Sequence, residues 1–156
     1  MITIERPGLN PLEIEFVLID FEGTLAIDRR VHSKAKDKIN LLSKRTTIYI
    51  LTKEKKELIE ERLRKVKAEI IYLAEGGSSQ RKLDLIHRLG PTQSVAIGNG
   101  EDDVAMIKEA SIGISILGKE GSSGEALKNA DLVFTDILDA LDFLLKPLRQ
   151  KTTLSK

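Results

Sequence analysis

Asp20 ends the apolar run FVLID, and Glu22, Gly23 and Thr24 follow at once. An acid at the end of a β-forming run, with a second acid two residues on and a glycine after it, places two carboxylates and a hydroxyl at one tight chain reversal. Other residues of the same chemical kind follow similar runs. Thr52 comes after IYIL, Glu75 and the Gly76-Gly77 pair after EIIYL, and Asn99, Asp102 and Asp103 after SVAIG, while Lys82 stands near the start of the helical stretch after Gly76-Gly77. Carboxylates, an amide oxygen and hydroxyls suit a hard cation such as Mg²⁺, and a lysine with helix N-terminal amides suits an anion beside it.

Whether these residues meet depends on the elements that carry them. Nearly continuous β-branched runs recur at 12–21, 47–51, 69–73, 94–97, 112–116 and 132–134, as expected of strands covered on both faces. Helix-period segments alternate with them at 33–44, 55–67, 78–89, 102–110, 122–130 and 137–145. The alternation predicts an α/β chain, doubly wound and Rossmann-like, with a central parallel sheet and helices on both faces. Residues 2–5 and 12–15 flank a Pro-Gly-Leu-Asn-Pro turn and predict an N-terminal β-hairpin whose second strand runs on into the central strand. One domain over residues 1–150 with a frayed polar tail at 151–156 is expected. In such a sheet ligands bind beyond the carboxyl ends of the strands, which is where all of these polar residues fall.

Composition narrows the partners. Lys and Arg number 25 against 24 Asp and Glu, so there is no concentrated basic surface for nucleic acid or an anionic membrane. There is no cysteine, which excludes disulfides, thiolate zinc sites and a cysteine nucleophile. With no leader-like N-terminus and no apolar run of about 18 residues, a cytoplasmic location is expected.

The four motifs DFEGTL (20–25), Thr52, Lys82 and GNGEDD (98–103) resemble, in order, those of haloacid-dehalogenase-like (HAD) phosphohydrolases. The stretch from 98 to 141 is similar to the phosphorylation domain of P-type ATPases and their soluble relatives, and the likeness runs from Leu12 to Leu145. It implies a Mg²⁺-dependent phosphatase. Asp20 would be the nucleophile that becomes an aspartyl phosphate, and Glu22 the acid/base. Thr52 and Lys82 would grip the phosphoryl group, with Gly23, Thr24 and Asp102 on the substrate side. Asp20, Glu22 through its carbonyl, Asn99 and Asp103 would hold the metal. No stretch is long enough for a cap module, which implies a large or exposed phosphorylated substrate, or closure by a second copy in a homo-oligomer. With no nucleotide-binding domain and no membrane segment, an ion pump is not expected.

Two positions depart from the family pattern. Glu22 stands where the second acid is usually aspartate, and a carboxylate displaced by roughly 1 Å can lose about two orders of magnitude in rate, so slow dephosphorylation is expected. Asn99 replaces a frequent metal-binding aspartate and removes a charge. These departures motivate the alternative of a catalytically weakened phosphate- or metal-binding protein acting through a partner or oligomer. Each residue also has an ordinary reading: Asp20 as a turn-capping acid, Thr52 as a helix N-cap, Lys82 on a solvated helix face, and Asp102 and Asp103 as caps of the next helix. His32 and His87 are expected on the surface, and Gly121–Gly124 as a turn.

Overall fold

The computed structural model describes residues 1–73 and 76–156; Glu75, one of the polar residues expected at the sheet edge, lies outside them. Six strands, β3 (Phe16–Asp20), β6 (Thr47–Thr52), β7 (Glu69–Tyr72), β8 (Ser94–Gly98), β9 (Ile112–Ile116) and β10 (Leu132–Phe134), form one sheet in the order β10-β9-β8-β3-β6-β7, every pair parallel. β3 lies near the middle, between β6 and β8. The expected hairpin is β1 (Ile2–Ile4) paired antiparallel with β2 (Leu12–Ile14). At Glu15 the chain leaves the hairpin: its N–H donates to Gln93 O and its carbonyl accepts from Thr47 N–H, and β3 begins one residue later.

The alternation of β3 sorts its side chains between two apolar layers. Val17 and Ile19 join the larger cluster, built with the hairpin, α1 (Ser33–Leu42), α2 (Lys56–Arg62) and α6 (Ile137–Leu145). Leu18 faces the smaller one, where α3 (Ser78–Leu89) contributes Leu85 and Ile86 and α4 (Val104–Glu109) contributes Met106. Asp20 has the parity of Leu18 and so falls on the α3 side. No helix among the described residues is long and apolar enough to cross a membrane.

Three local differences from the expected elements have physical causes. α2 stops at Arg62 instead of reaching Lys67 because the Asn40 amide takes over the backbone beyond it. Asn40 Nδ2 donates to Lys65 O and Asn40 Oδ1 accepts from Lys67 N–H, with Lys65 at φ +64°. Residues 26–31 form a small flap, β4 (Ala26–Ile27) against β5 (Arg30–Val31), whose turn residues Asp28 and Arg29 both have positive φ. A turn of that kind usually announces itself with glycine or asparagine, which Arg29 conceals. The tail is not frayed: α7 (Pro147–Leu154) starts on a proline, and buried Gln150 donates to the orphan carbonyls of Phe143 and Leu144 at the end of α6.

α1 and α6 are tied across the larger face by Lys38 Nζ, 2.6 Å from Asp142 Oδ1. That hydrogen bond holds the Asp142 carboxyl below its ordinary value of 3.8. A depressed carboxylate stabilises the fold fully above the unfolded value and loses that contribution as pH falls through the folded one. Asp142→Asn is therefore expected to lower stability by about 1 kcal/mol at pH 7, with the difference from wild type vanishing as pH drops below 3.8. Urea unfolding of both proteins at several pH values measures it.

Candidate active site

Asp20 is the last residue of β3 and is 4% exposed. One side chain reaches it from the neighbouring layer. α3 buries Ser78, Lys82, Leu85 and Ile86, a single stripe at helical spacing. Leu85 and Ile86 hold the stripe on the sheet, and Lys82, 1% exposed, is thereby aimed along it to the strand ends. Its ammonium lies 3.0 Å from Asp20 Oδ1, 2.7 Å from Asp103 Oδ1 and 3.1 Å from Asp102 Oδ2. This placement overturns the solvated-face reading of Lys82. Burial opposes its charge, but the Asp20 and Asp103 carboxylates outweigh that and hold Lys82 above the ordinary lysine value.

Asp103, fully buried, is fixed by the chain reversal after β8. Its Oδ2 accepts the backbone N–H groups of Asn99 and Gly100, both at 3.0 Å, so it caps the turn behind it and not α4. Gly98 makes room for it: a Cβ there would sit 2.4 Å from Asp103 Cγ. Asp102 is more open, with Ser78 Oγ donating to its Oδ2 at 2.8 Å and Lys53 Nζ 2.9 Å from the same oxygen. Burial raises the Asp102 value, but the Lys82 charge and the donated hydrogen bonds prevail and bring it to about 2. For Asp20 the balance is reversed: burial, with the Asp103 carboxylate adding to it, pushes it well above 3.8 in spite of Lys82.

The other expected residues are close by but arranged differently. Glu22 turns its carboxylate toward β6, where Oε1 accepts from Thr52 Oγ1 at 2.6 Å and Lys53 N–H at 2.9 Å. Thr52 is therefore not the N-cap of α2, a position held by Lys55. Gly23 and Thr24, expected to face an anion, serve the loop itself. The Gly23 N–H donates to Ala26 O, and the Thr24 hydroxyl donates to Asn99 Oδ1 at 3.0 Å. Gly23 has φ +75°, and a Cβ on it would meet Asn99 Nδ2 at 2.5 Å. Asn99, expected as a metal ligand, has both ends of its amide bonded within the protein, since Nδ2 donates to Gly121 O. It ties the β3 exit to the loop before α5 (Gly124–Asn129), where Ser123 is the N-cap. His32 caps α1 and His87 pairs with Glu109, both on the surface.

The residue not foreseen is Lys53, which enters twice, by its backbone N–H and by its ammonium. The lysine-rich stretch Lys53–Lys56 masked it, because only its position directly after Thr52 separates it from its neighbours. Beside the site, a cleft of about 780 Å³ opens between the flap and the start of α6, lined among others by Thr24, Arg30, His32, Lys119 and Asp136.

Among the described residues no three His, Asp or Glu side chains are grouped so as to hold a metal ion by themselves. Magnesium does not need three: it is commonly held by one or two carboxylates, with water and substrate oxygens completing the shell. Asp20 and Asp103 share a single ammonium, two carboxylate charges against one. The donor set fits a hard divalent cation.

The architecture has close counterparts. A 3-deoxy-D-manno-octulosonate 8-phosphate phosphatase from Moraxella catarrhalis, solved with magnesium, phosphate and KDO, superposes with a TM-score of 0.68 at 15% identity, over 90% of this chain and 89% of that one. A Legionella pneumophila protein assigned to the HAD superfamily, subfamily III A, gives 0.71 at 15% identity, over 90% and 87%. The chain has the HAD fold. By sequence this HAD-fold chain is 38% identical over 83 residues to an uncharacterised protein of Methanocaldococcus jannaschii, across 53% of this chain and 89% of that one. At that identity over nearly all of the archaeal chain, the two belong to one family. No protein-family model matches the sequence.

Proposed function

We propose that this HAD-fold protein is a Mg²⁺-dependent phosphohydrolase that works through an aspartyl phosphate on Asp20. The observation that carries the reading is the buried Lys82 ammonium joining Asp20 to Asp103 and Asp102 at the carboxyl end of the sheet. A structural ion pair needs one carboxylate. Three carboxylates around one ammonium, at a strand end where ligands bind, suit a site that takes up further positive charge together with a phosphoryl group. The Moraxella phosphatase, which shares the fold and was solved with magnesium and phosphate, supports this.

In the first step an Asp20 carboxylate oxygen forms a bond to phosphorus while the bond to the leaving oxygen breaks, and that oxygen takes a proton from Glu22. In the second, water attacks the same phosphorus, gives its proton to Glu22 and frees Asp20. Lys82 offsets the charge on nucleophile and phosphoryl oxygens throughout. Asp20, Asp103 and the Glu22 carbonyl would hold the cation, which when bound supplies charge neutralisation. Asn99 keeps the loop in place through Thr24 and Gly121.

Glu22 also favours a second reading. It is held by Thr52 and Lys53, away from any proton-transfer role, as in a binding protein that has lost turnover. Rapid mixing with a small aryl phosphate decides between them. Metal-dependent turnover is expected, with a burst of released alcohol followed by a slower steady rate; phosphate binding with no turnover under any metal concentration would favour the binding protein. Glu22→Asp is expected to raise the steady rate by about ten-fold or more, because the shorter acid cannot span to Thr52 as Glu22 does. An unchanged rate after that substitution would remove the longer side chain as the brake.

A further inference from the structure

Lys53 is half exposed, stands on the loop directly after β6, and is engaged from two sides. Its backbone N–H and the Thr52 hydroxyl converge on one oxygen of Glu22, a pair of donors arranged as they would be around any oxyanion. Its ammonium crosses to the β8 side and stops 2.9 Å from Asp102 Oδ2, the same atom that lies 3.1 Å from Lys82 Nζ and accepts from Ser78 Oγ. Two ammonium groups on one oxygen are no more than about 6 Å apart and repel each other. Lys82 is shared with Asp20 and Asp103, so Asp102 draws in Lys53 as well and brings a second ammonium to the same edge, close enough to the first for one dianion to bridge both.

We infer that Lys53 and Lys82 form a two-ammonium clamp for the phosphoryl group, in which Asp102 is the resident anion that keeps Lys53 in place until the phosphate arrives. The inference rests on the phosphohydrolase reading and adds to it a substrate-binding residue, Lys53, and a positioning residue, Asp102. Asp102 changes its part accordingly: a carboxylate repels phosphate, so it serves the substrate side only through the lysines it holds. Glu22 stands in the same way for a phosphoryl oxygen at the Thr52 hydroxyl and the Lys53 amide.

The test uses the full chain and inorganic phosphate with Mg²⁺ in a calorimetric titration. Loss of one charge-assisted contact is expected to weaken phosphate binding by about ten-fold in Lys53→Gln. Lys53→Arg restores the charge and is expected to bind within about three-fold of wild type, since either cation satisfies a phosphate oxygen. Lys56→Gln removes an exposed charge three residues on and leaves binding unchanged. With a small aryl phosphate, Lys53→Gln raises KM more than it lowers kcat, a split that a change in folding would not produce. Equal phosphate affinity in wild type and Lys53→Gln overturns the clamp and leaves the phosphate site standing. No phosphate binding by wild type overturns the phosphohydrolase reading and the clamp with it.

Discussion

Asp20→Asn is expected to abolish aryl phosphate turnover, by at least about 10³-fold, as loss of a covalent nucleophile generally does. The burst disappears with the steady rate, because no phosphoenzyme can form. The same substitution is expected to stabilise the metal-free fold. Asp20 is raised well above 3.8, chiefly by burial and next by the Asp103 carboxylate. A raised acid binds its proton more tightly folded than unfolded, so stability falls as pH rises from the unfolded value through the folded one. Above that window the ionised carboxylate is a cost which the neutral amide avoids. An asparagine variant that is inactive and melts higher at pH 7 without metal fits the proposed site, whereas one that retains turnover would move the chemistry elsewhere. An inactive variant that melts lower would show that the Asp20 charge is needed to hold Lys82.

Lys82→Met is expected to cost about 3–5 kcal/mol, the usual penalty for leaving buried charge without its partner. Three carboxylates lose a shared donor at once. Two have some compensation: Asp103 retains the Asn99 and Gly100 amides, and Asp102 retains Ser78 and Lys53. Asp20 has no other side-chain donor among the described residues and takes up a proton, which places the expected loss toward the lower end of that range. Removing the acid as well tests this assignment. The Asp20→Asn/Lys82→Met pair is expected to lose less than the sum of the two single changes, by a coupling of about 1–3 kcal/mol. Urea unfolding of the two single variants and the double variant measures it; simple additivity would show that the ammonium serves Asp103 and Asp102 and not the nucleophile.

The fold could be read from the chain because the strands are continuous apolar runs and the helices interrupt them at regular intervals. The polar residues at the strand ends could be placed on one edge for the same reason. What could not be read is direction. Nothing in DFEGTL says that Glu22 leans toward β6, since that depends on the distance between two strands adjacent in space and distant in sequence. Asn99 looked like a ligand by position, and its closure onto Thr24 and Gly121 needs the loop before α5 to lie alongside. Lys53 was hidden among other lysines, and α7 by a polar composition whose one buried residue is a glutamine.

The alternation along β3 also bears on how such a protein can change over time. Asp20 shares its side with Leu18, and the helix that packs there through Leu85 and Ile86 is the one that delivers Lys82. Chemistry and the smaller apolar layer are therefore inherited together, and drift in one is felt by the other. The larger layer, under α1, α2 and α6, holds Phe21 and Leu25 of the reactive loop itself. The two layers therefore constrain the site from opposite faces, one through the lysine it delivers and the other through the loop it anchors.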